Sequence, residues 1–295
     1  MRLIRFDDGG TPRLGAVIGD AVRPLDVLHD RYPTMLTLIA GGDAALAAAQ
    51  AVIDGDGDSL PLSTLELLAP IERPGKFMAI GMNYKAHVAE VKRLGGVVPE
   101  KQFWFNKQTS CIVGPYTDTD PGVSEALDYE VELGVVIGKP AKNVAVADAR
   151  DHVFGYLVCN DVSARDWQMH SPTFTVGKSF DTHGPIGPWI VTADEIADPH
   201  ALRLRCFVNG ELRQDGDTSG LVYNVWEQIS YLSTAFTLDS GDLLATGTPG
   251  GVGVAMTPPQ YLKAGDVVRC EIDGIGAIEN KVLASSADGR ARTNQ

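Results

Sequence analysis

Three carboxylates, Glu130, Glu132 and Asp161, are the residues whose types and spacing point most directly to chemistry. Glu130 and Glu132 are two residues apart, so both side chains would point to the same face of a β-strand. The two carboxylates repel each other unless a positive charge lies between them. Taken alone, the pair could equally face solvent. Asp161 follows the apolar run 154–159, where a buried strand would deliver its side chain to a site. Three carboxylates without a nearby Cys or His predict Mg²⁺ or Mn²⁺ rather than structural zinc.

Two other segments offer a cation and a base. Lys178 lies in an apolar stretch directly after Gly177, which permits a close backbone approach. A lysine there is an electrophilic partner for a bound anion, although a single lysine is more often a surface cation. His87 and Glu90 are three residues apart and would share one face of a helix. Glutamate can orient the imidazole as a general base, and a surface ion pair is the alternative.

The glycine-rich segment 245–253, ATGTPGGVG, is a further candidate for binding an anionic group through backbone N–H donors. It matches neither a dinucleotide-binding loop nor a P-loop, so nucleotide binding is excluded, and a plain turn is the alternative. The segment 54–59, DGDGDS, resembles a calcium loop but lacks the glutamate that such a loop needs.

Composition and charge narrow the class of protein. The chain has 295 residues, 44% of them apolar, a net charge of −13 and a pI of about 4.8. An acidic surface disfavours nucleic acid and anionic membranes, and no apolar run is long enough to span a bilayer. The four cysteines are far apart without a C-x-x-C pair, which predicts small buried hydrophobes in a reducing compartment. With no signal peptide at the start, a cytoplasmic protein is predicted.

The elements that must position these residues are mostly short strands. The apolar run 131–138 predicts a buried strand, and alternation over 202–208 predicts a half-buried one. Asn209-Gly210 predicts a hairpin after the latter, and Asp273-Gly274 predicts a second after 267–272. Apolar residues at spacings of three and four predict one helix over 222–236. Since strands do not alternate with helices, we expect an α+β, mainly β fold rather than a doubly wound sheet.

Residues 1–70 read as a small N-terminal α/β unit, followed by a catalytic domain over 71–295. Two strands are expected near 3–6 and 14–18, with the turn DDGGTP between them. Two helices are expected over 34–40 and 44–53, with Asp43 as the N-cap of the second.

In combination, these segments resemble the fumarylacetoacetate hydrolase family over about residues 74–280. The motifs that carry the resemblance occur in the family's order and approximate spacing: GMNYKAHVAE, FNKQTSCIVGP, DYEVELGVVIGK, GYLVCNDVSARDWQ, GKSFDTHGPIGPW and DLLATGTPGGVG. The resemblance is closer to the bacterial acylpyruvase-like and diketo-acid hydrolase branch than to the enzyme of tyrosine breakdown. It implies a mixed β-sandwich roll behind a small N-terminal domain, usually as a homodimer.

The resemblance also implies a role for particular residues. The family's metal ligands correspond to Glu130, Glu132 and Asp161, and its catalytic residues to His87, Glu90 and Lys178, with the dyad on a lid helix. Substrate-binding roles fall on four residues: Lys107, Arg165, Gln168 and Thr248. Thr182 is a further candidate oxygen donor near the metal.

The function that the resemblance implies is metal-dependent cleavage of a C–C bond in a 2,4-dioxo acid, giving pyruvate and a carboxylic acid. The substrate is an acylpyruvate or a diketo-deoxy sugar acid, with Mg²⁺ or Mn²⁺ as Lewis acid and the dyad activating water. Oxaloacetate decarboxylation and hydroxymuconate-type isomerisation remain alternatives, because they share the same residues. A metal-stabilised binding protein without catalysis is the alternative from another class.

Overall fold

The computed structural model describes residues 1–285, which form eighteen strands and five α-helices. The strands are β1 (Arg2–Asp8), β2 (Thr11–Ile18), β3 (Ala21–Pro24), β4 (Leu60–Pro61), β5 (Glu66–Leu68), β6 (Phe77–Gly81), β7 (Phe103–Lys107), β8 (Ile112–Val113), β9 (Leu127–Asp128), β10 (Val131–Ile137), β11 (Val153–Asn160), β12 (Ser163–Ala164), β13 (Gly184–Thr192), β14 (Arg203–Val208), β15 (Glu211–Asp217), β16 (Leu243–Ala245), β17 (Val267–Ile272) and β18 (Gly276–Lys281). The helices are α1 (Met35–Ala40), α2 (Gly42–Asp54), α3 (Lys85–Arg93), α4 (Arg165–Gln168) and α5 (Val225–Ala235).

Twelve of these strands form one mixed sheet. Ten follow the order β4-β3-β2-β1-β13-β11-β10-β16-β6-β7, while β5 pairs with β1 and β8 with β13. Most neighbours are antiparallel, but β16–β6 and β13–β8 are parallel. A second, antiparallel sheet has the order β15-β14-β17-β18, and β9 and β12 form a short ladder. This sheet-dominated architecture with few helices confirms the predicted fold class.

The two faces of the main sheet are buried against different partners. Alternate residues of β10, including Val131, Leu133 and Val135, share one apolar cluster with the second sheet and α5. On the opposite face, Val136 joins a second cluster with α1 and α2. A strand covered on both faces must be apolar throughout, and every residue of β10 is buried. Glu132 is the charged residue within this strand, so its burial requires a specific reason.

The N-terminal strands continue the main sheet rather than forming a sheet of their own. Strand β1 pairs with β13 through Arg2↔Val191 and Leu3↔Ile190, and β2, β3 and β4 extend the sheet outward from there. The helices α1 and α2 then cover the same sheet face that carries Val136. Residues 1–70 therefore stabilise the main sheet directly.

The local predictions hold with three changes. Asn209 and Gly210 both have positive φ, and form the predicted two-residue turn between β14 and β15. The loop between β17 and β18 is longer, because Ile272 pairs with Gly276. The second N-terminal helix begins at Gly42, which leaves Asp43 in its first turn instead of at the N-cap.

The predicted helix over 222–236 begins later, at Val225, because Asn224 caps it. The Asn224 side chain accepts the N–H of Glu227, and Glu227 in turn accepts the N–H of Asn224. All four cysteines are buried and free, as their apolar surroundings predict. Among the described residues, no helix is long and apolar enough to cross a membrane.

Candidate metal centre and active-site cavity

The pairing of β10 with β11 brings the three carboxylates together. The two strands are antiparallel, with Val131 opposite Asn160, so the start of β10 lies beside the end of β11. The N–H of Asp161 donates to the carbonyl of Glu130 at 2.9 Å and locks the two strand ends in register. Glu130, Glu132 and Asp161 can each offer a carboxylate oxygen so that the three atoms lie within 4.8 Å of one another.

Glu130 is balanced by two cations. Its Oε2 lies 2.7 Å from Lys178 Nζ, and its Oε1 lies 2.7 Å from Arg165 Nη2. Burial alone would raise the pKa of Glu130, but Lys178 and Arg165 lower it to about 2. Glu130 is therefore held as a carboxylate.

Glu132 has no such cation against it. Its Oε2 accepts only the N–H of Gly247, at 2.8 Å. Burial, together with the charges of Asp161 and Glu130, raises the pKa of Glu132 well above its ordinary value. A carboxylate that is 2% exposed and lacks a cation within the described residues is costly unless positive charge is supplied from elsewhere.

The donor set therefore fits a hard divalent cation. Three buried carboxylates whose oxygens lie close enough to bind one ion provide the ligands that Mg²⁺ and Mn²⁺ prefer. A bound dication would also offset the charge on Glu132. Within residues 1–285, this is the one group of three or more His, Cys, Asp or Glu side chains with this geometry.

Two lysines lie on opposite sides of Asp161. Lys178 Nζ is 2.7 Å from Asp161 Oδ2, and Lys107 Nζ is 2.6 Å from Asp161 Oδ1. Lys107 also donates to the carbonyl oxygens of Lys178 and His183, and its side chain is fully buried. Its three donors are thus used inside the protein. The structure does not bring Lys107 to the cavity surface, so its contacts favour a role in positioning Asp161 and Lys178 rather than the predicted substrate contact.

Arg165 links Glu130 to a carboxylate that the sequence analysis did not single out. Its Nε donates to Asp128 Oδ2 at 2.8 Å, and its Nη1 donates to Gln168 Oε1 at 3.0 Å. Asp128 is fully buried and also accepts the N–H groups of Gly253 and Val254. Asp128 therefore fixes both the guanidinium and the glycine-rich loop. The sequence signal that could have identified Asp128 is its position at the start of the motif DYEVE, close to Glu130 and Glu132.

The predicted dyad forms on α3. His87 Nδ1 lies 3.1 Å from Glu90 Oε2, and Glu90 Oε1 accepts the N–H of Gly251 at 2.8 Å. With Nδ1–H directed at the carboxylate, Nε2 is left as the proton-accepting nitrogen. His87 lines the same cavity as Glu130 and Glu132, so the structure unites the dyad with the carboxylates.

Strand β16 delivers the glycine-rich loop beside β10. Thr248 Oγ1 donates to the carbonyl of Val131 at 2.9 Å and accepts from Gln214 Nε2 at 2.8 Å. Gln214 Oε1 also accepts the N–H of Val131. Thr248 lines the cavity, but its hydroxyl serves to hold the loop. Gln214 was missed because it lies 83 residues from its partner, on a strand with no local motif.

A cavity of about 350 Å³ lies above these groups. It is lined by the polar side chains Glu130, Glu132, His87, Arg165, Gln168, Lys178 and Thr248. Gln168 accepts from Arg165 through Oε1, which leaves its amide N–H₂ as a donor for a bound anion. Thr182, the further candidate oxygen donor, uses its hydroxyl to accept the N–H of Asp120 at 2.8 Å instead.

The glycine before Lys178 is required by a backbone contact, as its position in the sequence suggested. A Cβ at Gly177 would lie 2.3 Å from both the N and the Cα of Gln168. Gly177→Ala must therefore separate Lys178 from α4, which carries Arg165. We expect a loss of about 1–3 kcal/mol in unfolding free energy, and an activity loss approaching ~100-fold because catalytic groups move. The matched control is Gly220→Ala, whose Cβ meets Tyr84 at 3.4 Å, an ordinary contact. Equal activity of the two variants would contradict the prediction.

His183 makes stability depend on pH. Burial, followed by the charge of Lys107, lowers the pKa of His183 to about 4, below the ordinary value of about 6.5. As the pH falls below about 6.5, the unfolded chain takes up a proton that the folded chain refuses, so folding stability is lost. Between pH 7.5 and pH 5, protonation linked to this one residue should lower the free energy of unfolding by about 2 kcal/mol.

Urea unfolding at both pH values measures that loss. His183→Gln keeps a donor for the carbonyl of Asp120, which His183 Nε2 contacts at 3.0 Å, but cannot be protonated. Between the two pH values, the free energy of unfolding should fall by about 2 kcal/mol less in the variant than in the wild type. The same loss in both proteins would show that other groups cause it.

Comparison with known proteins agrees with this geometry. The sequence pattern described as fumarylacetoacetate (FAA) hydrolase C-terminal matches residues 76–283, and the pattern described as Rv2993c-like, N-terminal matches residues 1–70. The chain is 45% identical over 292 residues to oxaloacetate tautomerase fahd2, mitochondrial, of Xenopus laevis, covering 96% of this chain and 90% of that protein. It is 42% identical over 291 residues to human oxaloacetate tautomerase FAHD2A, mitochondrial, covering 96% and 92%.

One solved structure resembles this chain over the whole length of the other protein. It is maleylpyruvate hydrolase from Sphingobium sp. SYK-6, in complex with manganese(II) and pyruvate. The TM-score is 0.82 at 33% identity, and the match covers 97% of this chain and all of the other.

Proposed function

Because the chain belongs to the fumarylacetoacetate hydrolase family, we propose that it transfers a proton at the carbon beside the 2-oxo group of a small 2-oxo acid, interconverting its keto and enol forms. Oxaloacetate is the first substrate to test, since the relatives with 41–45% identity include proteins named oxaloacetate tautomerase. Mg²⁺ or Mn²⁺ is the proposed cofactor, held by Glu130, Glu132 and Asp161.

The observation that carries the proposal is the His87–Glu90 dyad above the acidic cluster. The carboxylate of Glu90 contacts His87 Nδ1, which leaves the other ring nitrogen, Nε2, available as a base, and His87 lines the cavity. The same nitrogen can return the proton to another carbon or oxygen of the substrate. This one-group shuttle is sufficient for tautomerisation and requires no water molecule as a reactant.

The other residues hold the substrate and its developing charge. A bound divalent cation would polarise the 2-oxo group and make the neighbouring C–H more acidic. Lys178 presents a buried ammonium beside the cluster, and the Gln168 amide can donate to the substrate carboxylate. Glu90 is itself fixed by the Gly251 N–H, so the dyad is oriented before substrate binds.

Hydrolytic C–C cleavage is the second candidate function. The same dyad could remove a proton from water instead of carbon, and the maleylpyruvate hydrolase of Sphingobium shares the fold. Cleavage of a 2,4-dioxo acid and decarboxylation of oxaloacetate both start from the keto form and release a pyruvate enolate, whereas isomerisation of a hydroxymuconate-type diacid requires only proton transfers. The reaction must therefore be identified by its products. A homodimer, a cytoplasmic location and a domain division at 70/71 stay predictions from the sequence.

One assay distinguishes these reactions. Enol oxaloacetate is mixed with the protein in Mg²⁺, in Mn²⁺ and in EDTA, while enol absorbance and pyruvate are followed separately. The proposal predicts metal-dependent loss of enol well above the buffer rate, without matching pyruvate release. Pyruvate from oxaloacetate would indicate decarboxylation, and pyruvate from a 2,4-dioxo acid with stoichiometric carboxylic acid would indicate hydrolysis. A metal-independent rate would contradict the proposed role of the carboxylates.

A further inference from the structure

The active-site cavity has an apolar wall beside its polar groups. This wall is formed by side chains of β6, β7, α3 and the segments after α3 and α4: Ile80, Val91, Val97, Phe105, Met169 and Phe174. A substrate whose 2-oxo acid head lies at the carboxylates must place its remaining atoms against this wall.

The cations that line the cavity are already paired. Lys178 contacts Glu130 and Asp161, and Arg165 contacts Asp128, Glu130 and Gln168. Among the described residues that line the cavity, no ionisable side chain is present apart from His87, Glu130, Glu132, Arg165 and Lys178. A second carboxylate at the far end of a substrate would lose its hydration there without gaining a cation, which costs affinity.

Phe174 is held in the wall by an unusual backbone. Its φ is +59°, a left-handed conformation that is disfavoured for a bulky residue. Its ring packs 5.0 Å from Phe103, edge to face, and 6.1 Å from Phe105. The ring of Phe105 in turn lies 5.2 Å from Lys178 Nζ. Phe105 and Phe174 line the cavity, and Phe103, which does not line it, packs against the ring of Phe174. Backbone strain of the kind seen at Phe174 persists mainly at ligand-binding positions.

Apolar surface is exposed at the mouth of this cavity of about 350 Å³. Two residues at its mouth, Val97 and Met169, are 87% and 73% exposed although they face it, so apolar surface remains to be covered.

We infer that the preferred substrate carries an uncharged apolar arm, alkyl or aryl, attached to its 2-oxo acid head. The arm lies along the rings of Phe105 and Phe174 and is covered by Val97 and Met169. This inference rests on the proposed function, because it places the head at the carboxylates, but it assigns a substrate class that differs from a diacid such as oxaloacetate.

Equilibrium binding of simple 2-oxo acids tests the arm separately from the reaction rate. Calorimetric titration of the Mn²⁺-loaded protein would use 2-oxobutanoate, 2-oxopentanoate, 2-oxohexanoate and 2-oxooctanoate. Kd should fall about two- to fourfold for each added methylene. The matched pair is 2-oxohexanoate and 2-oxoadipate, which differ in a terminal methyl or carboxylate. The former should bind at least ~10-fold more tightly.

Two variants locate the arm. Phe174→Gly removes the ring while glycine accepts the positive φ, so the dependence of Kd on chain length should flatten. Met169→Lys places a cation at the mouth and should shift the preference towards 2-oxoadipate by at least ~10-fold. Val27→Lys is the control, since Val27 is similarly exposed, at 79%, and does not line the cavity. It should leave both affinities unchanged.

The outcomes separate this inference from the proposed function. If 2-oxoadipate binds as tightly as 2-oxohexanoate, the inference of an apolar arm is wrong, while the proposed 2-oxo acid site is still supported. An unaltered chain-length dependence in both cavity variants would overturn the assigned location. If no 2-oxo acid binds to the Mn²⁺-loaded protein, the proposed function fails, and the inference fails with it.

Discussion

Glu132→Gln is expected to abolish stabilisation of the protein by Mn²⁺ without lowering the stability of the metal-free protein. A ligand that binds only the folded state stabilises it by about 2.7 kcal/mol at 100 times its Kd, which should raise the wild-type Tm by about 4 °C for a chain of 295 residues. Removing one of three carboxylate ligands should reduce this rise to about 1 °C or less and cost at least ~100-fold in activity.

The metal-free comparison makes this prediction specific. Burial, Asp161 and Glu130 all disfavour the charged form of Glu132. Gln carries no charge, and its amide oxygen can still accept the Gly247 N–H that Glu132 now accepts. In EDTA, the variant should therefore melt at the wild-type temperature or above it. A ligand-site residue has this signature, whereas a purely structural carboxylate would destabilise the protein when replaced.

Glu279→Gln is the control for this change. Glu279 lies on β18 and is about half exposed, at 48%, so its replacement should alter neither the Tm in EDTA nor the rise with Mn²⁺. Thermal unfolding of the three proteins, each with Mn²⁺, with Mg²⁺ and with EDTA, gives the result. A full Mn²⁺-dependent rise in Glu132→Gln would show that the ion binds elsewhere.

The carboxylate cluster could be predicted because two short-range rules determine it. A period of two places Glu130 and Glu132 on one face, and a buried strand that ends at Asn160 places Asp161 directly at its end. The antiparallel register of Val131 with Asn160, which the structure supplies, completes the site. The dyad followed from helical spacing in the same way.

The supporting contacts could not be predicted, because they depend on long-range pairing. Whether Lys107 faces the cavity or lies behind Asp161 depends on the register of β7 against β6, where Lys107 is opposite Phe77. Gln214 reaches Val131 only because the second sheet packs on the main sheet in one orientation. The sequence thus indicates which residue types are present, while the packing of sheets decides which of them meet the substrate.

His87→Gln is expected to slow proton transfer by about 10²- to 10⁴-fold, the range that a positioned general base contributes. Gln matches the size of His but cannot accept a proton at the required position. The affinity for Mn²⁺ should stay unchanged, because none of the contacts of His87 involves Glu130, Glu132 or Asp161 directly. His152→Gln is the control, since that imidazole does not line the cavity and contacts the carbonyl of Lys139 at the protein surface.

Glu90 should act through His87, and the double variant tests this. Glu90→Gln retains a side chain that can contact the Gly251 N–H but removes the charge that orients and polarises the imidazole, so it should cost less than His87→Gln. Because a positioning residue has nothing left to position once the base is gone, the double variant should be no slower than His87→Gln alone. Additive losses would instead mean that Glu90 contacts the substrate. Because Glu90 does not line the cavity that His87 lines, such a contact would require α3 to move.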